Sequence, residues 1–256
     1  MEFKGLSFSY DQGRAFMEEL EGRIEKHKIT TIIGPNGCGK STLLSLLARG
    51  QKQTAGAITL DGKDIHSYKA KDFARKIAMV NQTNHISEDM TVQELIQFGR
   101  IPYKKIWKQD NEEDTDAIEW ALACTKLQDF KDTPVSALSG GQRQRVWIAL
   151  ALAQKTEILF LDEPTTYLDI YHQLELLSLI KELNTVYGIT IVMVLHDMNQ
   201  ALRYSDLVIV MKDGAIKAYG RPEQVITQEK IKEIYDVHIV VNEDDETGLY
   251  IVPLSI

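Results

Sequence analysis

The sequence predicts an α/β fold built on a parallel sheet, and three observations predict it. Two runs, the continuously apolar Ile158–Leu161 and Ile189–Leu195 with Thr190 as its one polar residue, lack the polar alternation of a strand with one wet face. Such runs belong to strands covered on both sides, as in parallel sheets. Between them lies a helical pattern with Ile170, Leu174, Leu177 and Ile180 spaced to face inward. Third, the glycine-rich stretch Gly34–Thr42 follows a strand, Ile29–Ile33, and opens a helix, Ser41–Leu47.

A chain of 256 residues can bury a large core, as one domain or as a domain with a subdomain. Its net charge of −8 weighs against a broad nucleic-acid or anionic-membrane surface while leaving room for a local basic site. Cys38 and Cys124 are too few for a disulfide framework or a cysteine metal cluster, so a reducing compartment is expected. The start Met1-Glu2-Phe3-Lys4 has no apolar signal core, and no run of about eighteen apolar residues occurs. A membrane role is therefore expected to come through a partner.

Gly34-Pro35-Asn36-Gly37-Cys38-Gly39-Lys40-Ser41-Thr42 fits G-x-x-x-x-G-K-[ST]. Polyphosphate oxygens must approach bare backbone N–H groups, and glycines remove the side chains that would block them. Lys40 adds a charge for the β- and γ-phosphates, and the Ser41 hydroxyl can ligate Mg²⁺. Cys38 reads as a small loop residue, with a reactive thiol as the alternative.

The remaining elements follow in order. Phe3–Tyr10 alternates as a half-buried strand, and Tyr10 reads either as a strand-end core tyrosine or as a ring that stacks on a base. Gly56–Gly62 is a short strand ending in Asp-Gly, Lys69–Arg75 is helical, and Ile77–Val80 is an apolar strand running into Asn81-Gln82. A polar residue at such a strand end can point into a ligand crevice. From Met90 the pattern turns helical, with a capping box at Thr91–Glu94 and a break at Ile101–Tyr103. Lys104, Lys105 and Lys108 read as a solvated basic cluster, and Asn111–Asp116 as the polar start of a helix burying Ile118, Ala121 and Leu122. Leu138-Ser139-Gly140-Gly141-Gln142 precedes a helix over Arg143–Gln154. Ser139 and Gln142 have capping-box spacing, and the two glycines open the backbone for an anion at the helix start. Asp162-Glu163 ends a buried strand, where paired carboxylates need a partner such as Mg²⁺ and a water. His196 ends the next strand in the same way. Asp213-Gly214 signals a hairpin, Gln228–Tyr235 a helix, and His238–Val241 and Leu249–Leu254 strands around an acidic turn, Glu243–Glu246.

Taken together and in this order, the glycine-rich loop, Leu138–Gln142, Asp162-Glu163 and His196 closely resemble the ATP-binding subunit of ABC transporters. Phe98–Tyr103, Thr165–Ile170 with His172–Leu177, and His196–Ala201 resemble the ATPases of iron-siderophore, haem and vitamin B12 importers. The resemblance implies a P-loop NTPase (RecA-like) core with a parallel sheet over 1–88 and 158–256, an N-terminal antiparallel β subdomain, and a helical subdomain inserted at 89–157. It implies that Tyr10 stacks on adenine, and that Gly34–Thr42 holds the phosphates, with Ser41, Gln82 and Asp162 at Mg²⁺. Glu163 would be the general base for in-line attack by water, with Gln82 and His196 holding that geometry. Ser139–Gln142 would bind the γ-phosphate held by an opposite subunit, and Asp169 would touch that subunit. The expected protein is a homodimeric ATPase at the inner face of the membrane, driving a separate permease fed by a substrate-binding protein, with siderophore iron as leading cargo and haem or cobalamin as alternatives.

Rival classes fit less well. The span Lys40–Ser139 is too short for the inserted coiled coil of DNA-repair ABC ATPases, and ribosome-acting types usually carry two such units in one chain. No Asn-Lys-x-Asp guanine-reading motif occurs, which disfavours a GTPase. A purely regulatory subunit would not need both Glu163 and His196.

Overall fold

In chain order, the computed structural model contains β1 (Glu2–Phe8), β2 (Met17–Arg23), β3 (Ile29–Ile33), α1 (Lys40–Leu47), β4 (Ala55–Leu60), β5 (Lys63–Asp64), α2 (Ala70–Ala74), β6 (Ile77–Val80), α3 (Val92–Gln97), α4 (Glu112–Thr125), α5 (Gly140–Ala153), β7 (Ile158–Leu161) and α6 (Ile170–Tyr187). The chain ends with β8 (Thr190–Val194), α7 (Met198–Tyr204), β9 (Leu207–Lys212), β10 (Ala215–Gly220), α8 (Pro222–Val225), α9 (Gln228–Tyr235), β11 (His238–Asp244) and β12 (Gly248–Ser255). Residues 1–10, 15–84, 89–104, 112–246 and 248–256 are described. Lys105 and Lys108, read above as part of a solvated cluster, and Asn111, read as the first residue of a helix start, lie outside them. Two compact units result, Met1–Ser67 with Thr190–Ile256, and Tyr68–Ile189.

In the first unit an antiparallel sheet runs β2-β1-β4-β5. β1 buries Phe3, Leu6 and Phe8 and stops there, short of Tyr10. β2 is a strand that the residue pattern hides. Glu18, Glu19 and Glu21 leave only Met17 and Leu20 as apolar anchors, opposite Phe8 and Leu6. Gly22 makes room for Phe3, whose ring would lie 2.3 Å from a Cβ there. Other strands of this unit run β10-β9-β3-β8, with β3 parallel to both neighbours and every residue of β3 and β8 buried. That is the covered parallel sheet that the apolar runs predict. The β9–β10 turn falls at Asp213-Gly214, as expected. Behind this sheet, Ile33, Val208 and Val210 share a core with Ile231 and Ile234 of α9, Ile239 of β11 and Ile251 of β12. The acidic run is only partly a turn. Glu243 and Asp244 continue the ladder of β11 opposite Leu249 and Gly248, with their charges in water.

In the second unit β6 and β7 form a parallel pair, Val80 opposite Leu161. The Thr91 capping box forms as expected. α5 begins three residues before Arg143, at Gly140, because Ser139 caps it. α6 buries Leu176, Leu177, Ile180 and Leu183, but Ile170 and Leu174 are 75% and 42% exposed rather than inward. Their spacing is helical, yet these two side chains precede the buried stripe and are left to solvent.

Phe98–Tyr103 closes over the end of α5. A Cβ at Gly99 would stand 2.3 Å from the Leu150 carbonyl, so only glycine permits this approach. Arg100 is buried, donates from Nε to Asp114 Oδ1 (2.7 Å) and from Nη1 to the Ala153 carbonyl (2.8 Å), and stacks 3.9 Å from the Tyr103 ring centroid. Tyr103 donates to the Gln154 carbonyl at 2.9 Å. These bonds satisfy carbonyls that a helix C-terminus leaves without partners. Removing one partner of a buried ion pair costs about 3–5 kcal/mol. Arg100→Leu is expected to lower stability by about that amount in urea unfolding; a loss below about 1 kcal/mol, the range of an exposed pair, contradicts the buried clamp.

Candidate active site

In the first unit, β3 delivers the chain into Gly34, where a Cβ would meet the Met211 carbonyl oxygen at 2.2 Å and the Cys38 thiol at 2.6 Å. Gly37 and Gly39 adopt φ of 76° and 107°, the left-handed region that glycine tolerates. Nothing lies within 4 Å of a Cβ at Gly37, so that side of the loop is open to ligand atoms. Lys40 is 5% exposed and lies back along the loop, with Nζ donating to the carbonyls of Gly34 (2.8 Å) and Pro35 (3.0 Å). α1 starts with Gly39 as N-cap, which brings no side chain to cap the helix, and a helix N-terminus favours an anion. Cys38 is buried and burial pushes its thiol pKa up, which supports the small-residue reading over a reactive thiol.

Tyr10 meets this loop through a 2.5 Å hydrogen bond between its hydroxyl and Thr42 Oγ1. Its ring stands edge-on to Phe8 at 4.9 Å and remains 61% exposed. That exposure removes the core reading. Pairing of Ile32 with Val194 places Gly34 and His196 just beyond the carboxyl ends of neighbouring parallel strands. His196 is exposed there, and Asp197 caps α7 through Asn199 N at 2.7 Å.

In the second unit, Asn81-Gln82 leaves β6 where Asp162-Glu163 leaves β7, and Asp162 N donates to Val80 O at 2.9 Å. Asp162 is buried. Glu163 adopts φ 49°, a conformation uncommon for glutamate and of the kind that clusters at functional sites. Gln82 Nε2 donates to Glu163 Oε2 at 2.6 Å, and Thr166 Oγ1 donates to the same oxygen at 3.3 Å. The two strand ends singled out by sequence therefore meet through one hydrogen bond.

The Ser139 capping box is present: Gln142 N donates to Ser139 Oγ at 3.3 Å, and Ser139 N donates to Gln142 Oε1 at 2.9 Å. The two glycines are not equivalent openings. A Cβ at Gly140 would meet nothing within 4 Å, whereas one at Gly141 would stand 2.3 Å from His172 Cδ2. Asp169 caps α6, accepting at Oδ1 from His172 N (2.9 Å) and from His172 Nδ1 (2.8 Å). These bonds, the backbone one first, hold its carboxyl below the ordinary aspartate pKa.

Two residues enter that sequence reasoning passed over. His172 had its signal in Asp169-x-x-His172, the spacing of an N-cap with its third helical residue. Tyr235 had none, because its hydroxyl reaches the Gly34 backbone from α9, far along the chain; burial pushes its phenol pKa up. Among the described residues no cluster of three His, Cys, Asp or Glu could cage a metal, and no helix is long and apolar enough to cross a membrane.

The family model for ABC transporters matches residues 17–166. The petrobactin import ATP-binding protein FpuC of Bacillus anthracis is 46% identical over 234 residues, 91% of this chain and 86% of that one. The ferric enterobactin transport ATP-binding protein FepC of Escherichia coli (strain K12) is 44% identical over 239 residues, 93% and 88% of the two chains. The ATP-binding cassette MJ0796, solved as a dimer in a post-hydrolysis state with ADP and Pi, superposes with a TM-score of 0.74 at 28% identity, covering 86% of this chain and 98% of that one. The family match spans the glycine-rich loop, Gln82, Ser139–Gln142 and Asp162-Glu163, and this chain belongs to the ABC transporter family as one of its ATP-binding, ATP-hydrolysing subunits.

Proposed function

We propose that the chain is the homodimeric motor of an importer for siderophore-bound iron, hydrolysing ATP at the inner face of the membrane to drive a separate permease. The 2.6 Å contact between Gln82 and Glu163 carries the hydrolytic reading. A carboxylate held this way beside a second, buried carboxylate suits a general base that takes a proton from water. Lys40 neutralises the β- and γ-phosphates, and Tyr10 offers its exposed ring to the adenine. Gly34, Pro35, Asn36, Gly37, Cys38, Gly39, Ser41 and Thr42 line the phosphates, and His196 contacts the γ-phosphate. Ser41, Gln82 and Asp162 suit Mg²⁺, which is held by few protein ligands plus phosphate oxygens and needs no all-protein cage. When bound, that ion neutralises charge developing on the transferred phosphoryl oxygens.

Dimerisation is supported by two features. Gly140 leaves the start of α5 open, with Ser139 and Gln142 beside it, for the γ-phosphate of a second copy. Near it, Tyr167 (93% exposed), Ile170 and Tyr171 make an apolar surface around Asp169 that a second copy would cover. In this reading the helical subdomain, 89–157, meets the permease, which a substrate-binding protein supplies. The cargo assignment rests on relatives named for siderophore transport that match over nearly the whole chain.

Glu163→Gln is expected to keep ATP binding, to lose turnover by about 100-fold or more, and to form an ATP-dependent dimer by light scattering. Wild-type turnover in that variant, or a persistent monomer with ATP bound, contradicts the reading. Cells lacking the chain are expected to lose uptake of radiolabelled ferric siderophore; unchanged siderophore uptake with loss of haem or cobalamin uptake contradicts the cargo.

A further inference from the structure

α5 and α6 are fastened to each other at two successive turns. At the first, the His172 ring fills the space beside Gly141, close enough that an alanine there would have no room. At the second, Arg145 of α5 pairs with Glu175 of α6 in a partly buried ion pair. The same imidazole also reaches back along its own helix. A carboxylate only accepts hydrogen bonds, so the 2.8 Å contact to Asp169 Oδ1 is a donation from Nδ1–H. Gln173 Nε2 donates to the Leu168 carbonyl at 2.9 Å, which ties down the residue before Asp169. Asp169 itself stays 66% exposed at the side chain, so without these bonds its rotamer would be open to solvent.

We propose that His172 is a positioning residue that locks Asp169 to the Ser139–Gln142 end of α5, so that both meet the opposite subunit in one register. The inference rests on the dimeric reading above. Neither single helix could set that register. Asp169 is placed by the N-cap of α6, Ser139 by the N-cap of α5, and the His172 ring touches both ends through Gly141 on one side and Oδ1 on the other. A ring without a donor keeps the packing and frees the carboxylate. An amide at the Nδ1 position keeps the donor and gives up part of the ring.

The test uses the full chain. His172→Phe is expected to lower kcat for ATP hydrolysis by about 10- to 100-fold, the scale of misplacing a group at a reactive centre. ATP affinity and thermal midpoint are expected to stay at wild-type values, and His172→Asn to recover most of the lost rate. Wild-type turnover in His172→Phe overturns the proposal. So does a rate loss matched by loss of ATP affinity or thermal stability, and so does His172→Asn performing no better than His172→Phe. Light scattering with ATP separates this proposal from the one beneath it. If Glu163→Gln alone stays monomeric, the dimeric reading falls. If it dimerises and Glu163→Gln with His172→Phe does so at the same ATP concentration, only the positioning role falls.

Discussion

A polyphosphate can be held by backbone N–H groups only if the chain around it carries no side chains on the ligand's side and cannot collapse into the space. The loop Gly34–Thr42 meets both conditions by being braced from behind. The Met211 carbonyl fills the place of a Gly34 side chain, Gly214 N donates to Cys38 O at 3.0 Å, and the Tyr235 hydroxyl hydrogen-bonds the Gly34 backbone. Lys40 closes the loop on its own carbonyls and keeps its charge inside. The β9–β10 turn and α9 thus brace the loop from behind. The C-terminal hairpin β11–β12 in turn holds α9 through the shared isoleucine core.

A similar separation of support from contact runs through the second unit. Of two adjacent glycines, Gly140 serves open space and Gly141 serves the His172 ring. Of two adjacent carboxylates, Asp162 is buried at the strand end and Glu163 is turned out in a left-handed conformation towards Gln82. Such strain persists only where the surroundings over-determine it. Here the parallel pair β6–β7 fixes both chain exits, and Thr166 adds a second hydrogen bond to the same oxygen. Phe98–Tyr103, by contrast, marks the subfamily in sequence but works as a clamp on α5, with Arg100 turned into the protein.

Local features were the legible ones. Both capping boxes, the glycine-rich loop, the covered parallel strands and the carboxylates at a strand end each depend on residues close in sequence. What periodicity could not decide was cover. Ile170 and Leu174 keep helical spacing but stay exposed, while His172 and Glu175 between and beside them make the contacts of these turns with α5. β2 has the opposite fault, a strand with three glutamates among its seven residues, recognisable only from its pairing with β1. Tyr235 and the inward side of Gly141 were invisible for a third reason. Each depends on a partner from another element, Gly34 for one and His172 for the other.

We propose that each ATP is hydrolysed with Lys40 and Glu163 from one copy and Ser139–Gln142 from another. Mixing two inactive variants tests it directly. Lys40→Met removes the phosphate charge. Gly140→Asp fills open space with a carboxylate that a helix N-terminus tolerates but a phosphate does not. Each variant alone is expected to be inactive, and an equal mixture to regain roughly a quarter of wild-type ATPase activity, from mixed dimers holding one intact site. A mixture as inactive as its parents, with mixed dimers present, or a Gly140→Asp chain that hydrolyses ATP alone, would contradict a site shared between two copies.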